Sequence, residues 1–575
     1  MHTIDLVLLV LLLGALTGIA ARYLRAIPLP LIQIALGAAL SWPQHGLHIR
    51  LDPTLFLALF IPPLLFADGW RLPKREFFSL RRPILRLAFG LVLFTVVGMG
   101  VLIHWLIPSM PLTVAFALAA VISPTDAVAV SAITRGQAMP AKTLHVLQGE
   151  SLLNDASGLV ALKFAVAATL TGSFSWWGAG REFLWVALGG TALGMLLGWG
   201  FGAAREAVTR RVGDVAATQM VLLLALLPFA AYMLGERIGV SGFLAAVAAG
   251  VTTNLADLRR SEFIVERMQT QGLWTMIETA FNGAIFLLLG LQLPAIIDTT
   301  LSQAGGLWWQ PLTQVLLISV ALLGFRWVWL TLGVRGSLMR AHEAGRMAER
   351  PSPLLTLATT LAGIRGAITL AGALSVPLLL PDGTPFPARE QLIFLAAGTI
   401  LCTLLIASIG LPLVLRRLPP MGEPGALREE RLARLAACRA AIAHLAEEPV
   451  ADTASDPAQA AWRQEAMGRL TQDYRKRIDL LEDPVESHAP ELQAEAPEAV
   501  RQRRLRYLLE LELRLQTLRV ERSALYAERQ AQHINDESLR ALVGEIDLAE
   551  VSLRKRLAVA RSRTGQAGAA EDGKA

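Results

Sequence analysis

Up to residue 418 the sequence returns about thirteen times to an apolar run of roughly 17–25 residues, the length an α-helix needs to cross ~30 Å of hydrocarbon. Inside lipid every backbone amide and carbonyl must be paired within the protein, so such runs are helices. The spacing places them near 4–21, 27–41, 53–70, 84–107, 112–134, 146–171, 183–204, 216–235, 239–255, 274–297, 311–334, 354–380 and 391–416. The second and ninth are short. The first has no basic segment before it and is longer than a usual signal-peptide core, so it is expected to be a retained span.

The loops carry the orientation. Arg22 and Arg25 follow the first run, Arg71, Lys74, Arg75, Arg81, Arg82 and Arg86 the third, Arg135 and Lys142 the fifth, and Arg205, Arg210 and Arg211 the seventh. Arg259, Arg260 and Arg267 follow the ninth, Arg335, Arg340, Arg346 and Arg350 the eleventh, and Arg416 and Arg417 the last. Loops after even-numbered runs carry few basic residues. Because basic loops stay cytoplasmic, this alternation predicts an odd number of spans, with the N-terminus outside and the C-terminus in the cytoplasm.

After Pro419 the composition turns charged and helix-favouring, which divides the chain into a membrane domain, 1–418, and a cytoplasmic tail, 419–575. Breaks near 447–458 and 483–498 interrupt the tail. Leu508, Leu511, Leu515, Leu518 and Leu525 keep a 3–4 spacing interrupted by Arg522; Leu539, Leu542, Ile546, Ala549 and Leu553 repeat it. With Asn535-Asp536 as turn and cap, these stripes predict a helical hairpin or short coiled coil. The stripes pack on each other or serve a sensing role.

Several function classes are excluded. The net charge of +6 is a topology signal and does not imply nucleic acid. Cys402 and Cys438 form no disulfide framework, and His45 and His48 share a loop without further metal ligands. No GxxxxGK[ST] string couples the chain to ATP, and no Ser–His, paired-Asp or HExxH arrangement supports hydrolysis. A cation channel could also use intramembrane carboxylates and stays an alternative of a different class, although the filter of repeated carbonyls or acidic rings it would be expected to carry has no string here.

Polar residues inside the apolar runs carry the chemistry. GESLLNDASG, Gly149 to Gly158, places Glu150 and Asn154, and Ser151 and Asp155, one helical turn apart. A carboxylate at bilayer depth is costly without a partner or cation. SPTDAVAV, Ser123 to Val130, breaks the fifth run at Pro124 beside Thr125 and Asp126, freeing carbonyls that can coordinate a cation. GIRGAITLAG, Gly363 to Gly372, breaks the twelfth run with close-spaced glycines and a buried Arg365. Paired breaks point to an inverted repeat with a midplane site, runs 1–6 against 8–13 with the seventh between. Arg326, alone in the eleventh run, is expected to pair with Glu150, leaving Asp155 free to titrate. Lys163 reaches water or competes as a partner. Glu278 and Asn282 serve helix–helix hydrogen bonds or the ion. In FIPPLLFADGW, Pro62-Pro63 must disrupt helix hydrogen bonding, and Asp68 is a solvated terminus or part of the ion path.

FIPPLLF, SPTDAVAV, GESLLNDA and GIRGAIT, in this order, resemble the monovalent cation:proton antiporter family that includes the sodium/proton exchangers. The resemblance covers most of 1–418. It implies an all-α, polytopic fold of about thirteen transmembrane helices with inverted repeats and two broken crossing helices. A six-helix core carries the ion site. A scaffold domain forms a homodimer in the lipid bilayer, and the core moves against it in alternating access. By position, Asp155 resembles the cation- and proton-binding carboxylate, with Asp126, Ser151 and the Thr125 backbone as further ligands. Asn154 resembles the neighbour that marks electroneutral members, Glu150 and Arg326 the core ion pair, and Arg365 the GxRGA arginine. Many members place the span-3 acid where this chain has Ala67, so Asp68 departs from the pattern. The implied function is exchange of a monovalent cation, Na⁺ or else Li⁺ or K⁺, for a proton across a bacterial-type inner membrane, serving pH homeostasis without a cofactor. Either guest neutralises Asp155, never both, and only the neutralised site crosses the low-dielectric barrier cheaply. Potassium/proton specificity is the alternative.

Overall fold

A computed structural model of the chain describes residues 3–21, 23, 27–41, 53–134, 139–171, 176–212, 217–257, 264–303, 309–343, 352–418, 425–447, 457–481, 497–531, 533 and 536–563. His45, His48, Asn535 and the loop arginines Arg22, Arg25, Arg135, Arg259, Arg260, Arg346 and Arg350 lie outside the described residues. The chain divides into two compact units, Met1–Met421 and Gly422–Ala575.

The first unit begins with α1 (Thr3–Ala20), α2 (Leu29–Ser41), α3 (Pro53–Arg71), α4 (Lys74–Ser79), α5 (Arg81–Leu85), a π-helical turn (Arg86–Leu91) and α6 (Val92–Leu106). A broken helix follows, α7 (Leu112–Ile122) and α8 (Ala127–Ile133), then α9 (Ala141–Thr171), α10 (Trp176–Val212), α11 (Ala217–Ile238), α12 (Gly242–Asp257), α13 (Ile264–Gln303) and α14 (Trp309–Glu343). The second broken helix is α15 (Pro353–Leu361) and α16 (Ala367–Leu374), and α17 (Arg389–Leu415) closes the unit. Every apolar run of the sequence coincides with one helix or one broken pair. Among the described residues eight helical stretches are long and apolar enough to cross a membrane, and α2 and Gly242–Asn254 are shorter apolar helices.

Burial sorts these helices. The stretch Leu112–Ser131 is 78% buried by protein, whereas Leu184–Val208 is 17% buried. The first broken helix is therefore the most buried of these eight, and α10 presents most of its apolar surface outward, as lipid permits. Packing repeats with an offset of seven runs. α2 packs on α13 as α12 packs on α3, and α1 on α13 as α11 on α3. Likewise α6 packs on α7 as α14 on α15, and α7 on α9 as α15 on α17. An odd offset reverses the direction of each repeat, so this pattern supports inverted repeats around an unpaired α10. Matched glycines sit at two of the close crossings. Gly37 meets Gly290 backbone to backbone, and Gly69 and Gly250 meet the backbones of Val247 and Phe66. A Cβ at any of the four would collide with the facing main chain, the small-residue contact that lets membrane helices approach closely.

Pro62 and Pro63 lie inside α3, which runs on to Arg71, so the ladder bonds their missing amides cost do not end the helix. Both prolines are buried, and neighbouring helices hold the segment where ladder bonds are missing. The π-turn answers a different need: its Ala88 carbonyl accepts the Ser157 hydroxyl at 3.0 Å, fastening it to α9.

In the second unit α18 (Gly425–Glu447) packs on α19 (Pro457–Leu481), and α20 (Pro497–Gln530) packs on α21 (Asp536–Arg563). Tyr507, Leu508, Leu511 and Leu515 bury against Leu553, Leu557 and Ala560. Arg522, which interrupts the apolar spacing, pairs with Asp547 and Glu550 of the facing helix. The two helices thus form a hairpin, but Leu542 and Ala549 of the second stripe are exposed, and Leu557 and Ala560 beyond it supply the buried contact.

Candidate functional site

The two breaks hold one another. α7 stops at Ile122 because Pro124 cannot continue its ladder, and α15 stops at Leu361 before Gly363. The Asp126 amide donates to the Ile364 carbonyl at 2.8 Å. Arg365 Nε donates to the Ile122 carbonyl at 2.7 Å, and its Nη1 to the Gly363 carbonyl. Arg365 therefore places a cation on the free C-terminal carbonyls of one broken helix while lying in the break of the other. Those carbonyls are the partners its sequence position left undetermined.

Asp126 caps α8: its Oδ1 accepts the amides of Val128 and Ala129 at 2.8 and 3.0 Å. Gly366 lies against this carboxylate, and a Cβ there would overlap Asp126 Oδ2. Gly366→Ala is accordingly expected to push Asp126 off its cap and reduce the activity of the site by about tenfold or more, the rate equivalent of losing a cap and its alignment. Cation-dependent proton flux in proteoliposomes checks this; an Ala variant with the wild-type rate would show that the contact is slack.

Helix α9 supplies the remaining groups. Glu150 is fully buried and grips Arg326 of α14 through both oxygens, with Nη2–Oε2 at 2.8 Å. Arg326 Nε also donates to the Thr359 carbonyl at 3.0 Å. The pair chosen from sequence is present. It is joined to the first break, since Thr125 Oγ1 donates to Glu150 Oε1 at 3.3 Å and Asn154 Nδ2 donates to Thr125 Oγ1 at 2.9 Å. Ser151 Oγ accepts the Ala127 amide at 3.3 Å, tying α9 to the start of α8.

These contacts leave Asp155 distinct. It is 6% exposed and lines a cavity of ≈30 Å³ with room for a water-sized guest. The walls include Asp68, Thr125, Asp126, Ser151, Glu278, Asn282, Gly366 and Thr369. Among the described residues no basic side chain pairs with Asp155. Lys163 goes instead to Glu236, at 2.7 and 2.8 Å, and Arg71 goes to Glu278 and to Thr275 Oγ1, the latter at 3.2 Å. The neighbouring ion pairs are thus closed among themselves.

Of the residues selected from sequence, Asp155, Asp126, Ser151, Thr125 and Asp68 meet at this cavity. Asp68 faces it, while Ala67 is fully buried beside Phe66 and Trp274, so the departure at this position does not remove the acid from the site. Asn154 is not in the lining; its amide orients Thr125, and its Oδ1 has no partner in the protein. Glu150, Arg326 and Arg365 form the frame behind the wall. Thr369 lies within the GIRGAIT string and was not singled out by its spacing. The signal was a hydroxyl set three residues after the last glycine of the break.

A family model described as "Sodium/hydrogen exchanger, transmembrane" matches residues 7–417. A protein of Escherichia coli K12 named Na(+)/H(+) exchanger YjcE is 44% identical over 559 residues, 95% of this chain and 98% of its own length. The "Sodium, potassium, lithium and rubidium/H(+) antiporter" of Bacillus pumilus is 46% identical over 412 residues, 71% of this chain and 60% of its own. The chain thus spans about three fifths of that relative. Among solved structures, the sodium proton antiporter MjNhaP1 of Methanocaldococcus jannaschii has the same fold, with a TM-score of 0.55 at 19% identity, covering 72% of this chain and 98% of that one.

Proposed function

The chain belongs to the sodium/hydrogen exchanger family, and from that premise we propose that it exchanges one monovalent cation for one proton at Asp155. One observation carries the reading: a buried carboxylate faces a small cavity, and among the described residues no basic side chain pairs with it. Such a carboxylate is costly in a low-dielectric interior until a guest arrives. A proton on one oxygen or a desolvated cation at the oxygen pair each removes the cost, and each excludes the other. Coupling follows, because the empty charged site cannot cross the barrier and the neutralised one can.

In this reading Asp126, Ser151 and the Thr125 backbone complete the cation's oxygen shell, and Asp68 draws it to the mouth. The name of the Bacillus pumilus relative supports a selectivity that includes Na⁺, Li⁺ and K⁺. Asn154 brings no second carboxylate, so the exchange is electroneutral. The helices of the two repeats divide into a moving core and a scaffold that pairs two copies in the inner membrane. The N-terminus lies outside and the 419–575 tail in the cytoplasm.

Proteoliposomes test it. Adding Na⁺, Li⁺ or K⁺ outside is expected to drive protons across at a rate that saturates with cation and does not change under an imposed voltage. Absence of any alkali-cation-dependent proton movement would overturn antiport, and a current at zero pH gradient would overturn electroneutrality.

A further inference from the structure

Thr369, on the first turn of α16, is 1% exposed and lines the same cavity as Asp155. Its Oγ1 finds no hydrogen-bond partner among the described residues. Unpaired buried hydroxyls are rare, because desolvating one without a replacement bond is unfavourable. Helical threonines usually solve this by donating to the carbonyl one turn back. Thr253 does so to Ala249 at 2.8 Å, Thr360 to Thr356 at 2.8 Å and Thr403 to Thr399 at 2.8 Å. For Thr369 the residue four back is Arg365, which lies in the break before α16 begins. The break thus removes the ordinary partner of a side chain that lines the cavity. Thr399 is also unpaired, but it is not in the cavity wall.

The other oxygens at this wall are partly committed. Asp126 Oδ1 caps α8, and Ser151 Oγ accepts the Ala127 amide. An alkali cation entering beside Asp155 must exchange its water shell for protein oxygens, and an uncommitted hydroxyl is a ready one. A proton needs no such shell. We infer that Thr369 Oγ1 is a direct ligand of the transported cation, contributed by the second broken helix, and that it biases the competition at Asp155 toward the cation. This inference rests on Asp155 being the exchange site.

Thr369→Val keeps the shape and removes only the oxygen. Since that oxygen has no hydrogen-bond partner among the described residues, the variant should fold at least as well as wild type. In proteoliposomes the half-saturating Na⁺ concentration is expected to rise about tenfold, the worth of one ligand contact to a charged guest, with the maximal rate within about twofold. At fixed Na⁺ the activity optimum should move to higher pH, because protons compete better. Thr369→Ser should restore the wild-type values. Stabilisation of the purified protein by Na⁺ in a thermal melt should need correspondingly more salt in the Val variant. Unchanged half-saturation for Na⁺, Li⁺ and K⁺ in Thr369→Val, with wild type exchanging normally, would overturn the ligand role and leave the proposed exchange intact. Wild type lacking saturable exchange would instead remove the premise.

Discussion

Asp155→Asn is expected to abolish cation-coupled proton movement while leaving the protein folded. The substitution preserves the side chain's shape and removes its capacity to take either guest. A full charge in a buried site is worth several kcal/mol, so the flux should fall by at least ~100-fold at any Na⁺ concentration that saturates wild type. No ion pair is broken, because among the described residues no basic side chain pairs with Asp155. Removing a buried, unneutralised charge should if anything raise the apparent thermal midpoint in detergent. That combination, higher stability with no exchange, distinguishes loss of the working group from misfolding. Glu at this position would return the charge on a longer arm into a cavity of ≈30 Å³, and partial activity is expected. Asp155→Asn proteoliposomes that still move protons in response to Na⁺ would refute the assignment, whatever their stability.

Much of this architecture is legible in sequence because lipid leaves the backbone few choices. A run such as Arg389–Leu415 can only be a helix there, and the breaks at Pro124 and Gly363 declare themselves through residues that cannot continue one. The Glu150–Arg326 pair was legible for a similar reason: a deep cation needs a deep anion. Other features depend on contacts that spacing does not encode. Pro62 and Pro63 should break a helix by local rules, yet tertiary packing carries α3 through them. Lys163 lies two turns from Asp155 on one helix, but Glu236 on another helix takes it. Arg365 was visibly buried, whereas one of its carbonyl partners, Ile122, belongs to a different broken helix. The repeat left a faint trace in the glycines at 37, 69, 250 and 290, and only the exchange of packing partners makes it evident.

Breaking the Glu150–Arg326 pair from one side is expected to be the most destabilising change in the membrane unit. Both side chains are almost wholly buried, at 0% and 2% exposure. Arg326→Met leaves Glu150 as a buried anion whose remaining partner is the Thr125 hydroxyl, and Glu150→Gln leaves a guanidinium with a neutral amide and the Thr359 carbonyl. Each single change should cost about 3–5 kcal/mol, seen as a large drop in apparent thermal midpoint and in yield of folded protein. The double variant Glu150→Gln with Arg326→Met should recover most of that loss, since neither charge is then stranded and apolar volume replaces the arginine stem. A double-mutant cycle on thermal midpoints in detergent measures the coupling directly. Additive losses would show that the two groups stabilise the fold independently, against the observed bidentate contact. Recovery of stability need not bring back transport. Thr125 donates to Glu150 and accepts from Asn154, so the pair also fixes the break that carries Asp126. A double variant that melts like wild type but exchanges slowly would locate the pair's role in holding that break, one layer behind the carboxylate that meets the ion.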